Sequence, residues 1–218
     1  MRAVLCKELG LPEKLVLEDV PSPAAGEGQV VLSVKACGVN FPDTLIIQGK
    51  YQFKPDLPFS PGGEVAGVVK EVGKGVTAVR PGDRVIAFNT WGGFAEEMVV
   101  EADRTIPMPD AMDFVPASGF VLTYGTSYHA LKDRAQLKAG ETLLVLGASG
   151  GVGIAAIQLG KMMGARVIAA ASTEKKLQVC KENGADELIN YADQDLRALQ
   201  DRNRSLERLY RGKDCQPA

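Results

Sequence analysis

The stretch LLVLGASGGVGIAAIQLGKMMGA, residues 143–165, limits what this chain can fold into more than any other. An apolar, β-forming run enters a loop in which Gly147, Gly150 and Gly153 recur at every third position, and the loop opens a helix-compatible run. That order suits a pyrophosphate. A helix N-terminus offers N–H groups without intrahelical partners, and its dipole favours an anion there. Side chains on the loop would keep phosphates off the backbone, so glycine is needed at the points of approach. The spacing is GxxGxxG rather than GxGxxG, and the same glycines also serve a bare strand-to-helix turn. What surrounds the loop separates the two readings. A strand over Thr142–Leu146 and a helix over Val152–Met163 are followed by a strand over Arg166–Ala171, a helix over Thr173–Asn183 and a short strand over Glu187–Asn190. Gly164 and Gly184 close the two helices. Strand and helix in alternation predict βαβαβ and a parallel sheet, one mononucleotide-binding half of a doubly wound fold. The candidate cofactor-binding residues of the loop are Gly147, Ser149, Gly150, Gly151, Val152 and Gly153.

Which dinucleotide fits turns on the end of the second strand. An Asp or Glu there would hold a ribose 2′-hydroxyl. Here the chain reads Ala169-Ala170-Ala171-Ser172-Thr173, with no acid, and Lys175 and Lys176 follow. Two lysines in the first turn of a helix either neutralise a 2′-phosphate or stand solvated. The missing acid favours NADP over NAD.

Residues 1 to about 108 follow another rule. Val30, Leu32, Val34 and Ala36 alternate with Val31, Ser33, Lys35 and Cys37, and EVAGVVKEV (64–72) is a second apolar strand turned by Gly73-Lys74-Gly75. Pro81-Gly82 leads into a strand over 83–87, and another is expected over Phe94–Val100. Short strands with frequent turns predict a compact, barrel-like β domain. The chain holds 24 glycines among 218 residues, about 11% against a usual share of roughly 7%, and these turns account for much of the excess. Asp110 is the expected N-cap of a helical stretch over Asp113–Leu137, which Pro116 and Gly119 should break in two.

Several function classes fall away on charge and hydropathy. With 25 basic and 27 acidic residues the net charge is −2, so no global field draws the chain to nucleic acid or an anionic membrane. Residues 142–160 are uncharged, but five glycines and a split into a strand half and a helix half argue against a membrane span. The N-terminal MRAVLCKELG lacks the apolar core of a secretory signal. Cys6, Cys37, Cys180 and Cys215 are far apart, with no C-x-x-C, which predicts simple thiols in a reducing cytoplasm.

The segments GVNFPDTLIIQGKY (38–51), FSPGGEVAGVVKEVG (59–73), PGDRV (81–85), VLTYGTSYHAL (121–131), GASGGVGIAAIQLGKMMGARVI (147–168) and NGADELINY (183–191) resemble, in order, the zinc-free quinone oxidoreductase branch of the medium-chain dehydrogenase/reductase family. The resemblance covers residues 1 to about 197. It implies an α/β chain with a GroES-like catalytic domain (1–120), a partial Rossmann domain (121–191) and a divergent polar tail (192–218). It implies hydride transfer from NADPH to a small-molecule quinone or enone. Asn40, Asp43, Tyr51 and Thr123 stand where relatives have residues near the nicotinamide or the substrate, and Ser172, Lys176 and Tyr191 where relatives hold the 2′-phosphate. Leu45 departs from relatives that carry a substrate-facing tyrosine. Read without the resemblance, Asn40 and Asp43 can simply cap a short helix, Tyr51 can be a loop aromatic and Thr123 an ordinary helical residue.

The zinc-dependent members of the resembled family open the loop at 38–40 with a metal-ligating Cys and have a His before the glutamate matching Glu64. Here the loop reads Gly38-Val39-Asn40, Gly62-Gly63 precedes Glu64, and the one histidine, His129, falls on an expected helix. No metal is therefore expected. The family-like sequence ends near Arg197, so a C-terminally truncated chain is expected, with an uncovered third strand and without the edge through which relatives pair as homodimers. Two alternatives accompany the quinone reading. One is a non-catalytic form that binds NADPH weakly or acts through a partner, and the other is an enoyl-thioester reductase.

Overall fold

The computed structural model describes residues 1–193. The polar helix expected around Leu196, Leu199, Leu206 and Leu209 lies outside the described residues, as does Cys215. The chain forms two compact units that divide after Val121.

The first unit is built on sheets. Strands β1 (Arg2–Leu5) and β2 (Val16–Asp19) form an antiparallel hairpin. Strands β3 (Gln29–Gly38), β4 (Glu64–Val72), β5 (Arg84–Phe88), β6 (Glu97–Glu101) and β7 (Thr105–Pro107) form an antiparallel sheet in the order β6-β3-β4-β5-β7. Val30, Leu32, Val65, Val69, Val85, Met98 and Val100 make its main core. The expected alternation along β3 is interrupted. Val31 is buried beside Val30 and Leu32, because the register with β4 shifts between Val31 and Leu32 and again between Val34 and Ala36. Such bulges bend a strand and re-aim its side chains. The strand expected over 94–100 is shorter than its apolar pattern. Phe94 and Ala95 leave the ladder to meet the N-terminal hairpin, where Val4 N donates to Phe94 O at 2.8 Å and Ala3 bridges Ala95.

Between β3 and β4 lies the short helix α1 (Phe41–Ile46), with Asn40 as its N-cap. After β7 comes α2 (Phe114–Ala117), capped from Asp113. Asp110 is not the cap. A turn closed by Met112 N on Pro109 O bends the chain before the helix begins, and the Asp110 carbonyl accepts instead from Arg84 Nη1. The expected break falls at Ser118 and Gly119, while Pro116 sits inside α2, in its first turn where a missing N–H costs little. Residues 121–134 then run as two wide π-helical turns, Val121–Gly125 and His129–Arg134, around the α-turn α3 (Thr126–Tyr128).

The second unit carries the alternating pattern. Strands β8 (Thr142–Leu146), β9 (Arg166–Ala171) and β10 (Glu187–Asn190) form a parallel sheet in the order β10-β9-β8, with α4 (Gly151–Met162) and α5 (Glu174–Glu182) as crossovers. In β9 every residue from Val167 to Ala171 is buried, as expected of a central parallel strand covered on both faces. Leu143, Val145, Ile157, Val167, Ala169 and Cys180 make the core. Among the described residues no helix is long and apolar enough to cross a membrane.

Candidate active site: a dinucleotide cradle and a buried polar cluster

Three loops leave the carboxyl ends of the three parallel strands, which is where open α/β sheets bind ligands. The first follows β8. Gly147 sits at φ +61° with nothing within 4 Å of where a Cβ would be, and Gly150 has only the Gly147 carbonyl oxygen at 3.6 Å. Gly147, Gly150, Gly151 and Val152 are exposed, so the loop is an open cradle of backbone. Gly153 serves a different purpose. A Cβ there would lie 2.6–2.7 Å from the backbone of Ala148, so its absence lets the helix start against the loop. Gly150 is the N-cap of α4 and brings no side chain to its N–H groups, and those of the first turn have no intrahelical acceptor. The donor set matches a diphosphate.

The second loop follows β9. Thr173 caps α5 by accepting from Lys176 N, and the Lys176 ammonium donates to Ser172 Oγ at 3.2 Å. The third follows β10, where Tyr191 N donates to Ala171 O at 3.1 Å and so sets Tyr191 beside Ser172. Ser172 and Lys176 are thus tied side chain to side chain, and the backbone bond brings residue 191 next to residue 172. Glu174, which follows Thr173, accepts from Asn190 Nδ2 at 3.0 Å.

Thr123 belongs to this unit. A Cβ at Gly151 would lie 3.1 Å from its Cγ2, so the π-turn packs on the start of α4. Ser127 Oγ donates to Val152 O at 2.8 Å, and Tyr124 donates to Gln158, whose amide in turn donates to Asn183 Oδ1 at 2.7 Å. The stretch bearing Thr123 is thus tied to α4 and, through Asn183, to the end of α5.

The first unit holds a second polar cluster. Asn40 and Asp43 close a capping box at the start of α1, with Asn40 N donating to Asp43 Oδ2 at 2.7 Å. Asn40 Nδ2 also donates to Glu64 Oε2 at 3.2 Å. Asp43 and Glu64 are both buried, at 5% and 0% exposure. Burial pushes the Asp43 carboxyl above its ordinary value, opposed by backbone N–H donors from Asn40, Gly62 and Gly63. Burial, with Asp43 and Glu64 adding negative charge nearby, pushes the Cys37 thiol up to about 12. Tyr51 is not part of this cluster. Its half-buried ring packs on Cys6, Ile46, Ile47 and Phe59 and stacks obliquely on Phe53, with centroids 5.9 Å apart. Glu64 is the member that motif spacing alone does not mark as part of the site. Its sequence signals are a charged residue heading the apolar run Val65–Val69 and its match to a glutamate of the resembled family.

Among the described residues no group of three or more His, Cys, Asp or Glu side chains is placed to hold a metal ion. His129 is exposed and paired with Asp133 at 2.8 Å.

Comparison with known proteins adds what geometry cannot. Residues 26–110 match the alcohol dehydrogenase GroES-like domain family, and residues 151–207 match the zinc-binding dehydrogenase family. The second match runs past Arg197, beyond the stretch that carries the sequence resemblance. A quinone oxidoreductase of Rattus norvegicus is 42% identical over 195 residues, which is 88% of this chain and 59% of that protein. The crystal structure of Escherichia coli quinone oxidoreductase complexed with NADPH superposes with a TM-score of 0.88 at 32% identity, covering 94% of this chain and 63% of that one. Quinone oxidoreductase from Thermus thermophilus, solved alone and with NADPH, gives 0.80 at 39% identity over 95% of this chain and 64% of its own. The chain thus spans about three fifths of the length of the curated relatives it matches.

Proposed function

Because this chain belongs to the medium-chain dehydrogenase/reductase family, we propose that it binds NADPH on the 147–153 loop and serves the reduction of a quinone or an enone without a metal. The observation that carries this is the convergence of three strand ends: the bare loop after β8, the Ser172–Lys176 pair after β9 and Tyr191 after β10. The loop amides and the N-terminus of α4 would hold the diphosphate, and Ser172, Lys176 and Tyr191 the 2′-phosphate. Relatives solved with NADPH support the choice. When bound, NADPH supplies the hydride. The chain's own residues bind and orient. Thr123 borders the loop at Gly151, and the Asn40 amide offers a donor for an oxygen that gains negative charge, the task a metal performs elsewhere. Tyr51 would border the substrate, and Asp43 holds Asn40 in place. The metal-free reading is supported by the amide at position 40 and the glycine before Glu64.

The test is a titration with NADPH and NADH, followed by fluorescence, on wild type and K176A. NADPH binds the wild type tighter than NADH by about tenfold or more, and K176A closes that gap without weakening NADH. Equal affinities in the wild type sink the NADP assignment. Turnover with an ortho-quinone and a crotonyl thioester side by side then separates a quinone reductase from an enoyl-thioester reductase.

A second reading keeps the cofactor and drops the turnover. Tight NADPH binding with no turnover on any acceptor selects it. The free thiols of Cys6, Cys37 and Cys180 suit the cytoplasm, and sedimentation of the full chain tests for a homodimer.

A further inference from the structure

Asn40 is held between two buried carboxyl groups. Its backbone N–H meets Asp43 and its side-chain nitrogen meets Glu64. Glu64 is fully buried and heads β4, where it is paired with Gly38 on one side and Phe88 on the other. A side chain carried on a strand paired along both edges is placed more firmly than one on a loop. The space around it is closed as well. A Cβ at residue 38 would lie 3.4 Å from Glu64 Oε2 and 2.4 Å from the Ser118 carbonyl oxygen.

An asparagine amide has an oxygen end that accepts and a nitrogen end that can donate twice, whereas a carboxylate only accepts. Glu64 therefore draws the nitrogen end of Asn40 and engages one of its two N–H groups. From this contact we infer that Glu64 is a positioning residue, which holds the Asn40 amide by its nitrogen so that the second N–H meets the oxygen of a quinone or enone. The inference rests on the role proposed above for Asn40. A donor aimed at an oxygen gaining negative charge lowers the barrier, while a flipped amide would present its own oxygen and repel.

The test uses the full chain carrying E64Q, E64M, E64L, N40A and the double variants E64M/N40A and E64L/N40A. In nuclear magnetic resonance of protein labelled with 15N-asparagine, the Asn40 side chain is identified by its loss in N40A. Its two amide protons are well separated in the wild type, because one is bonded to a carboxylate. E64Q still accepts through its side-chain oxygen and keeps the separation. E64M and E64L, two apolar replacements of different shape, reduce it to the ordinary separation of an unbonded asparagine amide. An Asn40 signal that neither variant moves overturns the inference whether or not the chain turns over.

With NADPH and an ortho-quinone, the apolar variants lower kcat by about tenfold or more and leave the NADPH KM within about twofold. E64Q restores the rate, and neither E64M nor E64L costs anything further on N40A. A further loss on N40A, or E64Q as impaired as E64M, assigns Glu64 a merely structural part and overturns the inference. A wild type that binds NADPH and reduces no acceptor defeats the proposed reaction instead, and the resonance experiment still decides the amide's orientation.

Discussion

Two glycines in one loop differ by about one ångström in the room beside them, and that difference divides binding from stability. At Gly150 a methyl group would meet only the Gly147 carbonyl oxygen at an ordinary 3.6 Å, while at Gly153 it would strike the Ala148 backbone at 2.6–2.7 Å. G150A should leave thermal stability within about 0.5 kcal/mol, since the site is open, yet weaken NADPH by filling the cradle. G153A should cost about 1–3 kcal/mol, because backbone must shift to admit the methyl. Calorimetry and a binding titration on both variants check this; equal effects of both on stability would contradict it. Asp43 makes a second residue-scale prediction. Its raised value means that the folded chain holds this proton more tightly than the unfolded chain does. The stabilisation is then full below the ordinary carboxylate range and is lost as pH rises through the raised value. D43N cannot lose that proton, so its melting temperature relative to wild type should climb as pH rises across that window. A difference that stays flat or falls would refute the assignment.

Among the elements, one carboxylate ties α4 to the sheet beside their shared apolar core. Asp186 accepts from Lys161 Nζ at 2.6 Å and from Val167 N at 2.7 Å, and these contacts hold its carboxyl below the usual range. A lowered folded value contributes stability at neutral pH that is lost as pH falls through it. D186N should therefore melt lower than wild type at pH 7, with the gap narrowing in acid. A gap unchanged from pH 7 down to pH 3 would show that the charge is not what matters. The elements themselves differ in how far sequence reveals them. Strands β8 and β9 are legible because apolar runs end at Gly147 and Ser172, where the chain must turn, and β10 because the pair Leu188-Ile189 follows the helix-closing Gly184. The β1–β2 hairpin is not. Val16 and Leu17 are exposed, so no buried face imposes a period, and the pairing is set by contacts such as Val20 N on Met1 O. The cradle could be read from glycine spacing because its chemistry is local. The Asn40–Glu64 contact could not, since it joins residues 24 apart through the register of β3 on β4.

At the scale of the molecule, a cofactor held by the second unit is a stabiliser of that unit. At a hundredfold excess over its dissociation constant, NADPH should add about 2.7 kcal/mol. Hydrogen exchange should show the gain at the amides of residues 147–153 and 172–176, and K176A should need more NADPH to reach the same protection. Exchange that slows nowhere in these segments would place the cofactor elsewhere. The thiols supply each unit with its own stopwatch. Cys6 in the first unit and Cys180 in the second are buried and free, and burial raises the pKa of both. An alkylating reagent reaches such a sulfur only in the moments when its surroundings come apart. The two modification rates in the untouched native protein thus count, separately and without denaturant, how often each half of the chain breathes.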